Sequence, residues 1–253
     1  MIHYSVSDSI AEIRIDHPPV NGLGVVMIDD LIAALGRAAA AADVRVVLIT
    51  SAVPRRFCAG LDLKVVLNDV SALRSLVDKL YVRLSDAQQA LGKPSIAVVN
   101  GTARGGGMTL AISCDVVIAG ASATFGYPEI DVGLLPAIHF VQLPRVVGRH
   151  RAFDLLFTGR SFGAQEAAAL GIISRVVDDA VLDREARALA RTFAAKPPQV
   201  MAIGRAAFRR TNDNDFRNKL VDAVGDICDA AASDEGREGL QAFVEKRKPK
   251  WQA

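Results

Sequence analysis

The spacing of apolar residues along the chain predicts alternating strands, loops and helices. Apolar and polar residues alternate over Ile10–Ile15, which is typical of a half-buried strand, and Pro18 and Pro19 cannot continue a strand ladder. Short β-branched runs indicate buried strands at residues 44–50, 95–99 and 115–119. Helical spacing occupies about 25–42 and 70–91. This order predicts an α/β fold.

The pattern changes in the last quarter of the chain. After a final strand-like run at residues 171–177, the sequence from about 182 is rich in Ala, Arg and Glu with helical spacing. Pro197 and Pro198 interrupt it, and Ser233 begins a segment typical of a helix N-cap. We therefore divide the chain into a core, residues 1–195, and a helical C-terminal region, residues 196–253, for which we expect a role in oligomerisation.

Composition restricts the class of protein further. The 253 residues are 51% hydrophobic and 23% charged, which is ordinary for a globular protein. The net charge is +2, and the dense basic cluster lies only at residues 246–250, so nucleic acid is not an expected partner. No apolar run approaches the roughly 20 residues that span a bilayer, and the first residues lack the features of a signal peptide. We expect a cytoplasmic protein without a membrane partner.

Cysteines and histidines give little support for a disulfide framework or a metal site. Cys58, Cys114 and Cys228 are odd in number and widely spaced, which favours a reducing compartment. The four histidines form no zinc-binding spacing. We therefore expect no metal.

Two glycine-containing loops carry the candidate chemistry. Gly105, Gly106 and Gly107 follow a predicted strand and open a predicted helix, so ligands can approach main-chain N–H groups there. Residues 57–64 also follow a strand. If the two strands are neighbours, each loop presents one N–H group to a common point, and an oxyanion-hole donor is typically worth about 3 kcal/mol of transition-state stabilisation. Glycines needed for turn geometry alone are the alternative interpretation.

At these loops the sequence resembles the crotonase superfamily, which includes enoyl-CoA hydratases and isomerases. Residues 57–64 (FCAGLDLK) and 100–107 (NGTARGGG) resemble its two acyl-CoA signatures, and 125–129 (FGYPE) and 133–136 (GLLP) follow in the family's order. The resemblance covers essentially the whole chain. It implies a crotonase-like spiral of ββα units with a helical C-terminal region, assembly as trimers or hexamers, and a coenzyme A thioester as substrate without a separate cofactor.

The resemblance also implies roles for individual residues. The N–H groups of Leu61 and Gly106 would hold the thioester oxygen while the acyl group becomes an enolate, and Glu129 would be the catalytic carboxylate. Lys64 would lie near the phosphates of coenzyme A, although from the residues alone a solvated loop lysine is the favoured interpretation. The implied substrate contacts are Ala59, Gly60, Leu61, Asp62, Leu63, Lys64, Gly105 and Gly106.

One departure from the family pattern decides the expected reaction. Family hydratases carry two glutamates, but here the first position holds Thr109, and threonine is not an ordinary base at neutral pH. A double-bond shift from the 3,4 to the 2,3 position needs only one carboxylate, so we expect an enoyl-CoA isomerase. The alternatives are a hydratase in which Thr109 orients the water, another crotonase-type lyase or hydrolase, and a non-catalytic acyl-CoA-binding protein.

Three further residues have open roles. Asp131 is a second carboxylate near Glu129, with a structural role favoured. His139 lies where the family usually has small glycine-rich sequence, and packing is the favoured explanation. Arg104, beside the glycines, is a weaker candidate for contacting an acidic acyl tail.

Overall fold

A computed structural model describes residues 1–63, 70–213 and 215–252. Within these ranges the chain is an α/β protein, as predicted. The strands are β1 Ile2–Ser7, β2 Ile10–Ile15, β3 Gly22–Leu23, β4 Val46–Ser51, β5 Arg55–Cys58, β6 Gly60–Leu61, β7 Ser95–Val99, β8 Gly101–Arg104, β9 Val116–Gly120, β10 Thr124–Gly126, β11 Ser161–Gly163 and β12 Arg175–Val177. The α-helices are α1 Val25–Ala40, α2 Val70–Val77, α3 Leu84–Ala90, α4 Gly106–Ser113, α5 Ala137–Val147, α6 Arg149–Thr158, α7 Ala164–Ala169, α8 Leu182–Ala194, α9 Pro198–Asn212, α10 Phe216–Ala232 and α11 Asp234–Glu245.

The larger sheet has the strand order β1-β2-β4-β7-β9-β12. β1 runs antiparallel to β2, and the remaining neighbours are parallel. Every residue of β7 is buried and β4 is buried up to its last residue, which explains why their sequences are continuous apolar runs without alternation. Helices therefore cover both faces of the sheet's centre.

A smaller sheet, in the order β11-β10-β8-β5, positions the two glycine-containing loops. β5 and β8 are parallel neighbours, with Arg55 paired to Gly101 and Cys58 to Ala103. Because parallel strands end at the same edge of a sheet, the loops that follow them emerge side by side. The two strands that precede the loops are therefore neighbours, as a common site requires.

Several predicted elements differ in detail. The helix predicted over 70–91 is interrupted by a π-helical turn, Asp78–Arg83, between α2 and α3. The strand-like run at 171–177 forms a strand only over Arg175–Val177, since residues 171–174 are a turn. The predicted cap is confirmed, because the Ser233 hydroxyl accepts a hydrogen bond from Gly236 N at 2.9 Å.

The C-terminal helices pack on the core. Leu220, Val224 and Ile227 of α10 and Leu240 of α11 belong to the same hydrophobic cluster as the sheet residues. Buried Arg205 of α9 also donates to the Asp115 carboxylate at 2.8 Å. α11 also lies against the chain at Val132 and Gly133, since a Cβ on Gly239 would overlap the Val132 carbonyl oxygen. Among the described helices, none is long and apolar enough to cross a membrane.

Candidate active site

A different steric contact favours glycine at each of the three positions in the turn between β8 and α4. Gly105 has φ 48° and ψ −117°, and a Cβ there would lie 2.8 Å from Glu129 Oε1. A Cβ on Gly106 would lie 3.0 Å from Leu80 Cδ2, and one on Gly107 would overlap the Cys58 carbonyl oxygen. The turn is therefore closely packed, and glycine is required most strictly at Gly107, where the added atom would meet backbone rather than a movable side chain.

The other loop approaches this turn at Gly60. Gly60 has φ +97°, and a Cβ there would lie 2.9 Å from Arg104 O and 3.1 Å from Gly106 N. Asp62 N donates to Leu23 O at 3.0 Å, so strand alternation directs the neighbouring Leu61 N–H away from β3. Gly106 is the first residue of α4, where N–H groups lack partners within the helix. Two N–H groups thus lie close together at the loop edge.

Glu129 lies over this turn. A 3-10 turn, Pro128–Val132, carries it, and the carboxyl group lies inside the protein although the residue keeps some accessible surface. Its Oε2 has no hydrogen-bond partner among the described residues. Burial disfavours the charged form and raises the pKa of Glu129 to about 7, only partly opposed by a backbone hydrogen bond. The group can therefore bind and release a proton near neutral pH.

A cavity of about 330 Å³ joins the turn, the Gly60 loop and Glu129. Its walls are Ala59, Gly60, Leu61, Leu63, Leu80, Tyr81, Gly105, Gly106, Pro128, Glu129, Asp131, Val132, Leu134, Ile227 and Phe243. Most of the predicted substrate contacts lie in this wall. Asp62 does not, and Lys64 lies outside the described residues.

Thr109 is not part of this cavity's wall but lines an adjoining cavity that shares Leu80 and Tyr81 with it. It is buried, and its Oγ1 is 3.3 Å from His139 Nε2. Both departures from the family pattern therefore meet, although they are 30 positions apart in the chain. The adjoining cavity has a volume of about 40 Å³. The hydroxyl has the imidazole as its hydrogen-bond partner.

His139 packs within the protein core, as favoured from the sequence. The residue has no accessible surface, and its ring centroid is 4.4 Å from that of Tyr127. Burial lowers the pKa of His139 to about 3, and a backbone hydrogen bond with Gly105 opposes this only in part. The imidazole is therefore neutral at physiological pH.

The remaining candidates are dispersed. Asp131 is an exposed residue at the cavity wall, and partial desolvation of its carboxyl raises its pKa. Arg104 donates to the hydroxyls of Thr124 and Ser161 at 3.3 and 3.0 Å and is not part of the cavity wall. The structure gives no support to a contact between Arg104 and the acyl tail. Within the described ranges, no three His, Cys, Asp or Glu side chains are grouped as metal ligands.

Several wall residues were not assigned a role from the sequence. They are Leu80, Tyr81, Val132, Leu134, Ile227 and Phe243. Phe243 belongs to a closing segment, residues 243–247, that also resembles the family, so a signal for it existed. For Leu80 and Tyr81 the sequence contains no signal beyond helical spacing. The π-helical turn in which they lie does not produce a recognisable apolar repeat.

Known proteins match this architecture over nearly its full length. The family model described as enoyl-CoA hydratase/isomerase matches residues 5–253. A probable enoyl-CoA hydratase of Rhodobacter capsulatus is 36% identical, covering 98% of this chain and 96% of the relative. A probable enoyl-CoA hydratase of Bacillus subtilis is 32% identical, covering 99% of this chain and 98% of the relative.

Solved structures agree with these sequence relatives. An enoyl-CoA hydratase/isomerase from Pseudoalteromonas atlantica superposes with a TM-score of 0.87 at 30% identity, covering 98% of each chain. The enoyl-CoA hydratase from Bacillus anthracis superposes with a TM-score of 0.80 at 30% identity, covering 98% of this chain and 97% of the other. The predicted crotonase fold is confirmed. The chain belongs to the enoyl-CoA hydratase/isomerase family of the crotonase superfamily, whose members act on coenzyme A thioesters.

Proposed function

We propose that the protein is an enoyl-CoA isomerase that converts a 3-enoyl to a 2-enoyl thioester with Glu129 as its single base. The observation that carries the proposal is the contrast between Glu129 and Thr109. The carboxylate lies in the cavity wall against Gly105, whereas the Thr109 hydroxyl is bonded to His139 outside that wall.

The geometry supports a reaction in which one proton moves between two carbons. Glu129 removes a proton from C2 of the acyl group, and the electron pair moves into a dienolate whose negative charge rests largely on the thioester oxygen. The N–H groups of Leu61 and Gly106 stabilise that oxygen. The protonated Glu129 then delivers the same proton to C4, so the carboxylate is regenerated. A base with a pKa of about 7 is matched to this exchange near neutral pH.

We assign substrate contacts as the sequence predicts. The loop residues Ala59, Gly60, Leu61, Asp62, Leu63 and Lys64, with Gly105 and Gly106, would bind the thioester and the adjoining part of coenzyme A. No separate cofactor is part of this proposal. We also propose that the region 196–253 supports a trimer or hexamer, since Val200, Ile203 and Phe208 of α9 are exposed apolar residues.

Hydration is the second candidate, and the names of many relatives favour it. It requires a water positioned by a second polar group, which Thr109 would have to provide. The hydrogen bond between Thr109 and His139 opposes this role. A non-catalytic acyl-CoA-binding protein is the third candidate, and it predicts binding without any dependence on Glu129.

Ultraviolet absorbance of the conjugated product separates these candidates. Purified protein incubated with 3-enoyl-CoA substrates of several chain lengths should form 2-enoyl-CoA. Glu129→Gln should reduce the rate by about 10³-fold, within the range typical of a general base. Loss of absorbance from 2-enoyl-CoA, without activity on 3-enoyl-CoA, would instead support the hydratase.

Asp131→Asn provides the matched control. It also removes a carboxylate from the cavity wall, but at an exposed position. We expect a rate within about tenfold of the wild type, since long-range charge effects are screened at exposed sites. Equal losses in both variants would contradict the assignment of Glu129 as the single base.

A further inference from the structure

A polar cavity lies beside the acyl cavity, which is our name for the cavity of about 330 Å³ that has Glu129 in its wall. The polar cavity has a volume of about 40 Å³, and Gln88, Thr109 and Ser113 belong to its wall. At least one water molecule fits in it, since about 10–15 Å³ of such space is enough for one. The buried Oε1 of Gln88 has no hydrogen-bond partner among the described residues. The chemistry of this wall therefore favours water over an apolar ligand.

The polar cavity adjoins a groove at the protein surface. This groove has a volume of about 580 Å³ and shares Ser85, Arg209 and Asp213 with the wall of the polar cavity. Arg210 and Arg217, which are exposed, line the groove as well. Solvent in the groove is therefore a source from which the polar cavity can fill.

Leu80 and Tyr81 separate the polar cavity from the acyl cavity. Among the residues that the structure describes, only these two belong to both walls, and they are 1% and 3% exposed. They lie in the π-helical turn Asp78–Arg83, where Leu84 N donates to Lys79 O. Turns of this kind occur frequently at functional sites. We call these two residues the partition.

The partition also packs against the proposed oxyanion loop. Leu80 Cδ2 lies 3.0 Å from the position of a Cβ on Gly106, and a Cβ on the neighbouring Gly105 would lie 2.8 Å from Glu129 Oε1. Thr109 belongs to the wall of the polar cavity and not to that of the acyl cavity. The partition thus lies between a space suited to water and the carboxyl group that handles the substrate proton.

We propose that Leu80 and Tyr81 act as a barrier that keeps water of the polar cavity away from Glu129 while substrate is bound. The inference rests on the proposed function and explains how that function conserves its proton. A carboxylic acid in contact with water exchanges its proton with solvent, and a closed site prevents such leakage. The barrier slows this exchange, so the proton that Glu129 takes from C2 is delivered to C4 before solvent replaces it.

Transfer of an isotopic label tests the barrier. A 3-enoyl-CoA with deuterium in place of both C2 hydrogens is converted in ordinary water, and mass spectrometry measures the deuterium that reaches C4. The wild type should transfer most of this label. Leu80→Ala opens the partition and should lose most of it, because the proton of Glu129 then exchanges with water before delivery. The transferred fraction does not depend on the overall rate, so a merely slower variant would leave it unchanged.

Leu84→Ala is the matched control. Leu84 is fully buried one turn further along, and it belongs to neither cavity wall. Its truncation removes the same side-chain atoms from the core but leaves the partition closed, so the wild-type label transfer should remain. If circular dichroism shows that Leu80→Ala is not folded, Leu80→Val replaces it, with a smaller loss of label expected.

Crystal structures with a bound saturated acyl-CoA test the exclusion of water without turnover. The wild type and Leu84→Ala should contain ordered water in the polar cavity and none in contact with the Glu129 carboxyl. In Leu80→Ala, ordered water should continue through the position of the missing side chain to that carboxyl.

Equal label transfer in Leu80→Ala and the wild type would overturn the inference, as would an equal loss in Leu84→Ala. A wild type that converts the substrate but transfers no label to C4 would also contradict it. Failure of the isomerase proposal is recognised separately, because the wild type would then not convert 3-enoyl-CoA at all. In that case the crystal structures still decide, since ordered water at Glu129 in the wild-type complex would exclude the barrier.

Discussion

Glu129 and His139 lie on two sides of the same glycine and show how orientation decides the use of a buried titratable group. The Glu129 carboxyl lies against Gly105 in the cavity wall, whereas the His139 imidazole is enclosed in the core, where the Gly105 backbone influences its pKa. Burial favours the neutral form of both, so the pKa of Glu129 is raised to about 7 while that of His139 is lowered to about 3. Both shifts have one physical cause.

The two groups nevertheless have different capabilities. His139 has no accessible surface and its Nε2 is 3.3 Å from the Thr109 hydroxyl, so it cannot reach the cavity. Glu129 lies in the cavity wall, and its pKa falls where a small change in pH changes its charge. Burial alone would not separate a structural group from a base. Access to the cavity does, and each of the following variants alters one side of Gly105.

After the loss of rate expected for Glu129→Gln, the largest effect is expected for Gly105→Ala. The added Cβ would lie 2.8 Å from Glu129 Oε1, and the positive φ is unfavourable for alanine. Displacement of the carboxylate should lower the isomerisation rate by about 100-fold, the cost typical of a shift of about 1 Å in a catalytic group. Gly163→Ala, where nothing lies within 4 Å of the added Cβ, should keep wild-type activity in the same assay. Equal activities in the two variants would contradict the close contact at Gly105.

The next effect concerns stability and isolates the charge of Glu129. Between pH about 4.5 and about 7 the folded state keeps a proton that the unfolded state has lost, so the wild type loses stability as pH rises through this window. Glu129→Gln removes that titration. Denaturant unfolding should therefore show that the free energy of unfolding of the variant rises relative to that of the wild type between pH 5 and pH 8, by up to about 3 kcal/mol. A difference independent of pH would argue against a buried carboxyl with a raised pKa.

The smallest effect is expected on the core side, for Thr109→Val. Loss of the hydroxyl leaves His139 Nε2 without its partner and should reduce the free energy of unfolding by about 1 kcal/mol. The isomerisation rate should change by less than about threefold, because Thr109 is not part of the cavity wall. A rate loss comparable to that of Glu129→Gln would instead make Thr109 a catalytic residue.

The sequence predicted the elements with strong local patterns. The apolar run of β7, the helix after the glycines and the Ser233 cap are local features, and the structure confirms them. The approach of Gly60 to Gly106 was predicted only on the condition that their strands are neighbours. That condition is a property of the sheet, and no single segment encodes it.

The remaining features of the site depend on contacts between distant segments. The hydrogen bond between Thr109 and His139 joins positions 30 residues apart, and neither residue has a local pattern that indicates the other. Tyr81 has the spacing of an ordinary helix residue. It lies in the π-helical turn, whose Leu80 packs against Gly106, and this turn lines the cavity.

The pH dependence of proton exchange tests the central claim most directly. In deuterated water, the rate of exchange at C2 of a saturated acyl-CoA reports enolate formation without requiring a complete reaction. We predict that kcat/KM for exchange rises with pH, levels off above the Glu129 pKa of about 7, and is lost in Glu129→Gln. Exchange that is independent of pH between 5 and 9, or that persists in Glu129→Gln, would contradict the assignment of Glu129 as the base.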